Sequence, residues 1–343
     1  MSASLNGAAN GPAANTSPSN ANPDPPISWP VNRPASRGAW TPEVDHEIRL
    51  REQKDVRTPA PPQNPQRPSF TVSDKDLLPG QSRSLSGIGF RAFALGQALG
   101  LGLAGALYLI AVPHNPVWRA PFFMAVLALF HFLEFWTTAR YNTPAAKTLS
   151  FLFSNGKEYQ MAHSAALLEH LVTRYFFACW HDKVTTGGLI TILGIALIAL
   201  GQTVRSAAMA QAGTNFNHMV QSKKNSGHEL VTDGIYAWLR HPSYFGFFWW
   251  GLGTQLMLGN IVCFAIYAVV LWRFFSHRIM RKSDYSFALT HVPELFMRLA
   301  RLEHHTVADI FFNVDEEKFL INFFGDEYRK YRARTTVAIP FIP

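Results

Sequence analysis

One stretch of this chain gathers most of the side chains that could do chemistry. Residues 228 to 246 read HELVTDGIYAWLRHPSYFG and bring His228, Tyr236, Arg240, His241 and Tyr244 together with Gly234, Pro242 and Gly246. Two further groups lie downstream: Arg278, in WRFFSHRI, and the acidic pair Glu316-Glu317. A guanidinium is planar, always charged and able to bind a carboxylate through two parallel hydrogen bonds. Each group also has a plainer explanation. Tyr, Trp, Arg and His form interfacial belts, Arg278 could anchor a helix end, and Glu316 and Glu317 could lie on a solvated helix. No Ser-His-Asp or Cys-His arrangement stands out, and Cys179 and Cys263 both lie in apolar context. Neither a disulfide framework nor a cysteine metal site is expected.

The elements that must hold these groups are membrane helices. Charged residues make up only 16% of the 343 residues, and aromatics make up 13%. An average globular domain is about 25% charged, so a soluble protein is a poor fit. Residues 92 to 112 carry no charge, long enough to cross a bilayer core. A second span is expected at about 118 to 138, with Glu134 near its end. A third segment at 159 to 181 carries Glu169 and Arg174 beside an apolar face. A fourth span is expected at 184 to 204. The uncharged run from His241 to Trp272 is too long for one helix and reads as a hairpin broken at Gly259-Asn260. The fold expected is all-α and polytopic, with about six transmembrane helices. Glu134, an acid within a span, is either a functional group or one that reaches the interface.

Charge orients the spans. The net charge is +8. Arg140, Lys147 and Lys157 fall in one loop, and Arg205, Lys223, Lys224 and Arg240 in another. Both loops belong on the cytosolic side, which puts both ends of the chain there too. The basic residues are read as contacts for membrane lipid, not for nucleic acid. Residues 1 to 85 are rich in Pro, Ser and Asn and read as a disordered arm; 86 to 343 form the membrane domain. Gly100, Gly102 and Gly105 match GxGxxG, but inside an apolar span with no preceding strand they read as packing glycines, as do Gly96 and Gly100. Pro242 suits a first helical turn and leaves irregular backbone before it, tolerated at membrane depth only within protein or along a cavity.

The full set of segments resembles the isoprenylcysteine carboxyl methyltransferases, membrane enzymes that methylate the C-terminal cysteine of prenylated CaaX proteins. The segments are FHFLEFWTTARYN at 130 to 142, NFNHMVQSKK at 215 to 224, the 228 to 246 block, WWGLGTQLMLGN at 249 to 260, WRFFSHRI at 272 to 279, DEEKFLINFFGDEYRKY at 315 to 331, and the terminal IPFIP. The resemblance implies S-adenosyl-L-methionine as methyl donor. It would be contacted by Gln221, His228, Glu229, Leu230, Val231, Tyr236, His241, Pro242, Ser243, Tyr244 and Glu316. By the same resemblance Arg278 would sit at the substrate carboxylate as the catalytic and substrate-binding residue, with Glu317 supporting and no metal. It implies prenylated CaaX proteins as substrates and the endoplasmic reticulum membrane as location. A more distant similarity to membrane sterol reductases leaves a nicotinamide-dependent enzyme, or an inactive scaffold, as alternatives. Joining Ile279 through one residue to Asp315 restores the family's spacing, so 280 to 314 reads as an insertion: a cytosolic loop or an unspliced intron. With it, Glu316 reaches the cofactor only if the chain returns to the same place.

Overall fold

The computed structural model describes residues 46, 50, 72–112, 116–153, 156–184, 188–218, 221, 223–224, 227–279 and 316–343. The expected arm, apart from a few residues, and the expected insertion at 280 to 314 lie outside these.

Each of the six expected spans is a helix. They are α1 (Leu85–Ala111), α2 (Arg119–Tyr141), α3 (Lys157–Phe176), α5 (Leu189–Ala212), α6 (Pro242–Leu258) and α7 (Val262–Ile279). A short α4 (Ala178–Val184) follows α3, and α8 (Glu316–Arg334) follows α7 in the described chain. Among the described residues, four helices are long and apolar enough to cross a membrane: α1, α2, α7 and α5 extended to Asn215. α6 carries no charge but has only 17 residues. α3 is less apolar because of its charges.

The first boundary lies earlier than expected. Ser84 caps α1 by accepting from the Gly87 N–H at 3.1 Å, and the Thr148 N–H donates to the Ser82 carbonyl at 2.7 Å. Residues 82 to 84 therefore belong to the folded membrane unit. The fourth span starts later, at Leu189 instead of 184, and the third ends at Phe176.

Two glycine contacts lock α5 to α6. A Cβ at Gly201 would lie 2.5 Å from the Gly246 carbonyl oxygen, and one at Gly194 would lie 2.4 Å from the Met257 nitrogen. With no hydrophobic drive between helices in lipid, such backbone approach is what holds them together. Gly102 plays the same part between α1 and α2, 2.7 Å from the Pro121 carbonyl, and Gly105 is in ordinary contact with Pro121. Gly96 and Gly100 do not: a Cβ at either meets nothing within 4 Å. The packing expectation for that pair is not met within this chain.

One charge of α3, Glu169, faces protein. Glu169 accepts from the backbone N–H groups of Ile261 and Val262 at 2.9 Å and of Cys263 at 2.7 Å. A carboxylate is favourable at a helix N-terminus, so Glu169 fixes the start of α7. The hairpin turn carries Gly259 at φ 76, a left-handed conformation that costs glycine nothing. Buried Trp250, Trp272, Phe123, Phe130 and Phe275 fill the space between the helices. The C-terminal tail closes against them: Val337, Ile339 and Ile342 are buried, and Trp272 Nε1 donates to the Pro340 carbonyl at 2.9 Å.

Candidate active site

The cavity forms where α5 ends, α6 begins and α8 lines one side. Pro242 starts α6, and His241 before it is non-helical at φ −125, ψ 62, as the proline requires. The irregular stretch 228 to 231 lines one side. Gly234 sits at φ 53, and a Cβ there would collide with the Gln211 side chain. That closeness lets Gln211 Oε1 accept the Ile235 N–H at 2.9 Å and holds the turn that carries Tyr236.

All eleven residues expected at the cofactor line this one cavity, of about 150 Å³. They come from the 221 to 236 stretch, the start of α6 and the first residue of α8. Glu316 is thus brought to the cavity despite the 36 residues between it and Ile279. The Tyr244 hydroxyl donates to Glu316 Oε2 at 2.5 Å, and its ring stacks on His241 at 5.4 Å. Burial pushes the Tyr236 hydroxyl well above its usual pKa, so it stays protonated. Burial lowers His228, with Lys224 adding to the effect.

Glu317 does not line the cavity. It is 1% exposed and accepts from Arg240 Nε at 2.9 Å, with Arg332 Nε at 3.0 Å and His241 Nε2 at 3.5 Å. Burial alone would raise its pKa. The hydrogen bond and charge of His241, then Arg240 and Arg332, outweigh that and bring it down to about 2. The residue ties the wall helix to the residues that begin α6.

Arg278 is not among the lining residues. Its Nη2 donates to the His218 carbonyl at 3.0 Å, and its guanidinium lies over the rings of Tyr244 at 5.7 Å and Phe274 at 5.4 Å. Its Nε is buried and has no hydrogen-bond partner among the described residues. The residue therefore borders the cavity from behind Tyr244.

Sequence reasoning missed much of the wall. Phe319, Leu320, Phe323 and Phe324 line it, as do Asn215, Phe216, Asn217, Tyr328 and Tyr331. The signal was present: Phe319 and Phe323, and Leu320 and Phe324, are four apart and share a helix face. Lys224 fastens that wall, its Nζ donating to the Phe323 carbonyl at 3.0 Å and lying 4.4 Å from the Phe324 ring centre. Gly325, at φ 57 and ψ −126, kinks α8 just beyond it.

Three charges read from sequence as loop or interface groups are buried. Glu134 does not reach the interface; it is 1% exposed. Arg205 holds it through Nε to Oε1 and through Nη2 to Oε2 at 2.9 Å, and also donates to Ser243 Oγ at 2.9 Å. Arg240 is the third, held by Glu317 and by the Thr335 carbonyl at 2.7 Å. A buried charge must be paired, and these two arginines are spent inside the protein instead of facing anionic lipid.

A family model described as isoprenylcysteine carboxyl methyltransferase (ICMT) matches residues 193–286. The protein-S-isoprenylcysteine O-methyltransferase of Saccharomyces cerevisiae is 42% identical over 223 residues, 64% of this chain and 79% of the relative. This chain belongs to the isoprenylcysteine carboxyl methyltransferase family. The family's human member is 34% identical over 74% of this chain and 75% of its own length. A solved structure of the eukaryotic intramembrane Ras methyltransferase ICMT aligns with a TM-score of 0.59 at 32% identity, over 75% of this chain and 77% of that one. The match to the family model begins within α5, runs through the cavity-forming block and α7, and ends at residue 286.

Proposed function

We propose that this chain methylates the C-terminal carboxylate of a prenylated cysteine in CaaX-processed proteins, with S-adenosyl-L-methionine as donor. The observation that carries the reading is the convergence of residues from separate segments, His228 to Val231, His241 to Tyr244 and Glu316, on one cavity at the end of the membrane helices. The wall chemistry fits the donor. Phe319, Phe323 and Phe324 offer aromatic surface for a flat base, and Glu316 and Gln221 offer polar partners for a charged amino-acid end.

When bound, the donor supplies an electrophilic methyl group on a sulfonium. The carboxylate oxygen forms the new bond to carbon as the carbon–sulfur bond breaks, leaving a neutral thioether and an ester. A carboxylate is already ionised at neutral pH, so no residue needs to act as base. Arg278 has the right chemistry to orient it, because its buried Nε lacks an acceptor among the described residues and its ring contacts fix the guanidinium plane. Tyr244 separates the two: one face toward Arg278, its hydroxyl on Glu316. Glu317 and Arg240 keep α8 against the start of α6, which holds that wall of the cavity in place. Positioning of this kind supplies the larger part of the expected rate gain.

The protein lies in a membrane, and we assign it to the endoplasmic reticulum with both chain ends cytosolic. Arg140, in the last turn of α2, and Lys147, Lys223 and Lys224, beyond helix ends, lie on the cavity side, which supports that orientation. The alternative of a nicotinamide-dependent sterol reductase has no support from the relatives above, which are methyltransferases by name. Transfer of labelled methyl from S-adenosylmethionine to a farnesylcysteine analogue, in membranes holding this chain, tests the proposal. No transfer, with the full chain intact and the donor bound, would leave an inactive scaffold.

A further inference from the structure

Glu134 lies on α2, lines no part of the cavity, and is held by more than an ion pair needs. Arg205 already engages both its oxygens. A third donor arrives from outside the helices: His218 Nε2, 3.0 Å from Oε2. His218 ends the described stretch 213 to 218, in which Phe216 and Asn217 line the cavity. The end of α2 holds this stretch a second time, because Asn142 Nδ2 donates to the Phe216 carbonyl at 2.9 Å. The His218 ring sits edge-on to Phe216 at 5.0 Å.

The two arms of Glu134 end on opposite sides of the reaction. One runs through Arg205 to Ser243, whose Oγ and carbonyl accept from Arg205 Nη1 at 2.9 and 3.2 Å. Ser243 lines the cavity. The other runs through the His218 ring to the His218 carbonyl, the acceptor for Arg278 Nη2 at 3.0 Å. The guanidinium plane of Arg278 is set by that carbonyl together with the Tyr244 and Phe274 rings.

We propose that Glu134 is a positioning residue for methyl transfer: it fixes Ser243 on the cavity through Arg205 and fixes Arg278 through His218, so that one buried carboxylate sets the distance between cofactor pocket and carboxylate holder. This rests on the methyltransferase reading and on the assignment of Arg278 within it. The physical reason is the steepness of in-line transfer with distance. A displacement of about 1 Å can lower the rate roughly 100-fold while leaving binding almost intact. A buried ion pair that served stability alone would use Arg205 and no loop histidine.

The His218 arm can be cut without disturbing the other. His218→Phe keeps an aromatic ring against Phe216 and removes the donor to Glu134; Arg205 still holds Ser243. The expected result is a fall in kcat of about tenfold. The equilibrium affinity for S-adenosylmethionine, and for farnesylcysteine in the absence of donor, should stay within about threefold. His218→Gln, which retains an N–H donor, should recover most of the loss. In an Arg278→Lys background, His218→Phe should cost less than about twofold more, because both changes act through the same guanidinium.

Wild-type kcat in His218→Phe, or penalties that multiply with Arg278→Lys, would overturn the positioning role. A different result, wild-type kinetics in Arg278→Lys alone, would overturn the carboxylate-holder assignment on which the proposal stands. Glu134→Gln is the stronger cut and should move both kcat and donor affinity. If that variant does not fold, the His218 series decides the matter, since His218 is a quarter exposed.

Discussion

Glu317→Gln should loosen the cofactor cavity although Glu317 itself does not line it, because its carboxylate holds Arg240 and His241, which do. The carboxylate is 1% exposed and lies between Arg240, Arg332 and His241. Its pKa of about 2, against an ordinary 4.5, measures how strongly the folded site prefers the charge. That gap is worth about 3 kcal/mol. The sign is that of a depressed acid: the contribution is whole above about pH 4.5 and is lost as pH falls toward 2. At neutral pH the wild type therefore holds all of it, and only substitution removes it. Glutamine keeps the shape but leaves Arg240, itself 6% exposed, with a buried charge beside a neutral amide. Breaking one side of a buried pair costs about 3 to 5 kcal/mol, in line with the first figure. About 3 kcal/mol is roughly a 100-fold change in the balance between a docked and an undocked α8 wall. The assay is donor affinity by equilibrium binding in detergent, together with the thermal midpoint. Affinity should fall by at least tenfold and the midpoint by several degrees. A variant with wild-type affinity and midpoint would show that Glu317 does not hold the wall, and the ion-pair argument would fail.

Arg278→Lys should lower kcat for a prenylcysteine substrate by tenfold or more while donor affinity stays within about twofold, because lysine keeps the charge but loses the fork; kinetics with separate donor titration checks it. Tyr244→Phe removes the hydroxyl that donates to Glu316 at 2.5 Å and should weaken donor binding about tenfold, as expected for a hydrogen bond to a charged group. Gly201→Ala places a Cβ 2.5 Å from the Gly246 oxygen and 2.6 Å from the Trp250 nitrogen, so α5 and α6 must separate; a lower thermal midpoint and reduced expression should follow, and an unchanged midpoint would count against the close contact. Deleting 280 to 314, with one linking residue between Ile279 and Asp315, should leave activity in place, since Ile279 and Glu317 are both buried against the core and their placement is set by packing; loss of activity in a folded deletion variant would show that the segment contributes to the reaction.

Uncharged length made the membrane helices legible, and Pro242 together with Gly259-Asn260 marked where α6 begins and ends. The helix ends were misjudged by several residues where polar residues continue a helix into the interface, as Arg205 to Ala212 do in α5. Those residues look like a loop in a hydropathy reading because they carry an arginine. Arg205 is helical because Glu134, 71 positions earlier, neutralises it in the interior. No local pattern records a partner that far away. The same holds for Arg240 and Glu317, which are 77 positions apart. The residues expected around the cofactor were carried by family resemblance, not by spacing. The aromatic wall of α8 is legible in the four-residue spacing of Phe319 to Phe324, but the acidic pair just before it gives the segment the character of a solvated helix.

The shortness of α6 bears on how a lipid-modified chain can be served at all. A helix of 17 residues is about 26 Å long, at about 1.5 Å per residue, whereas the hydrocarbon layer is about 30 Å thick. Pro242 and Ser243, its first two residues, form part of the cavity. With its far end at the opposite face of that layer, the cavity end of α6 stops about 4 Å inside it. A cysteine whose sulfur carries a prenyl chain has its carboxylate only a few bonds from that lipid. Such a chain end can reach the cavity sideways, by diffusing in the leaflet, and its lipid never has to be lifted into water.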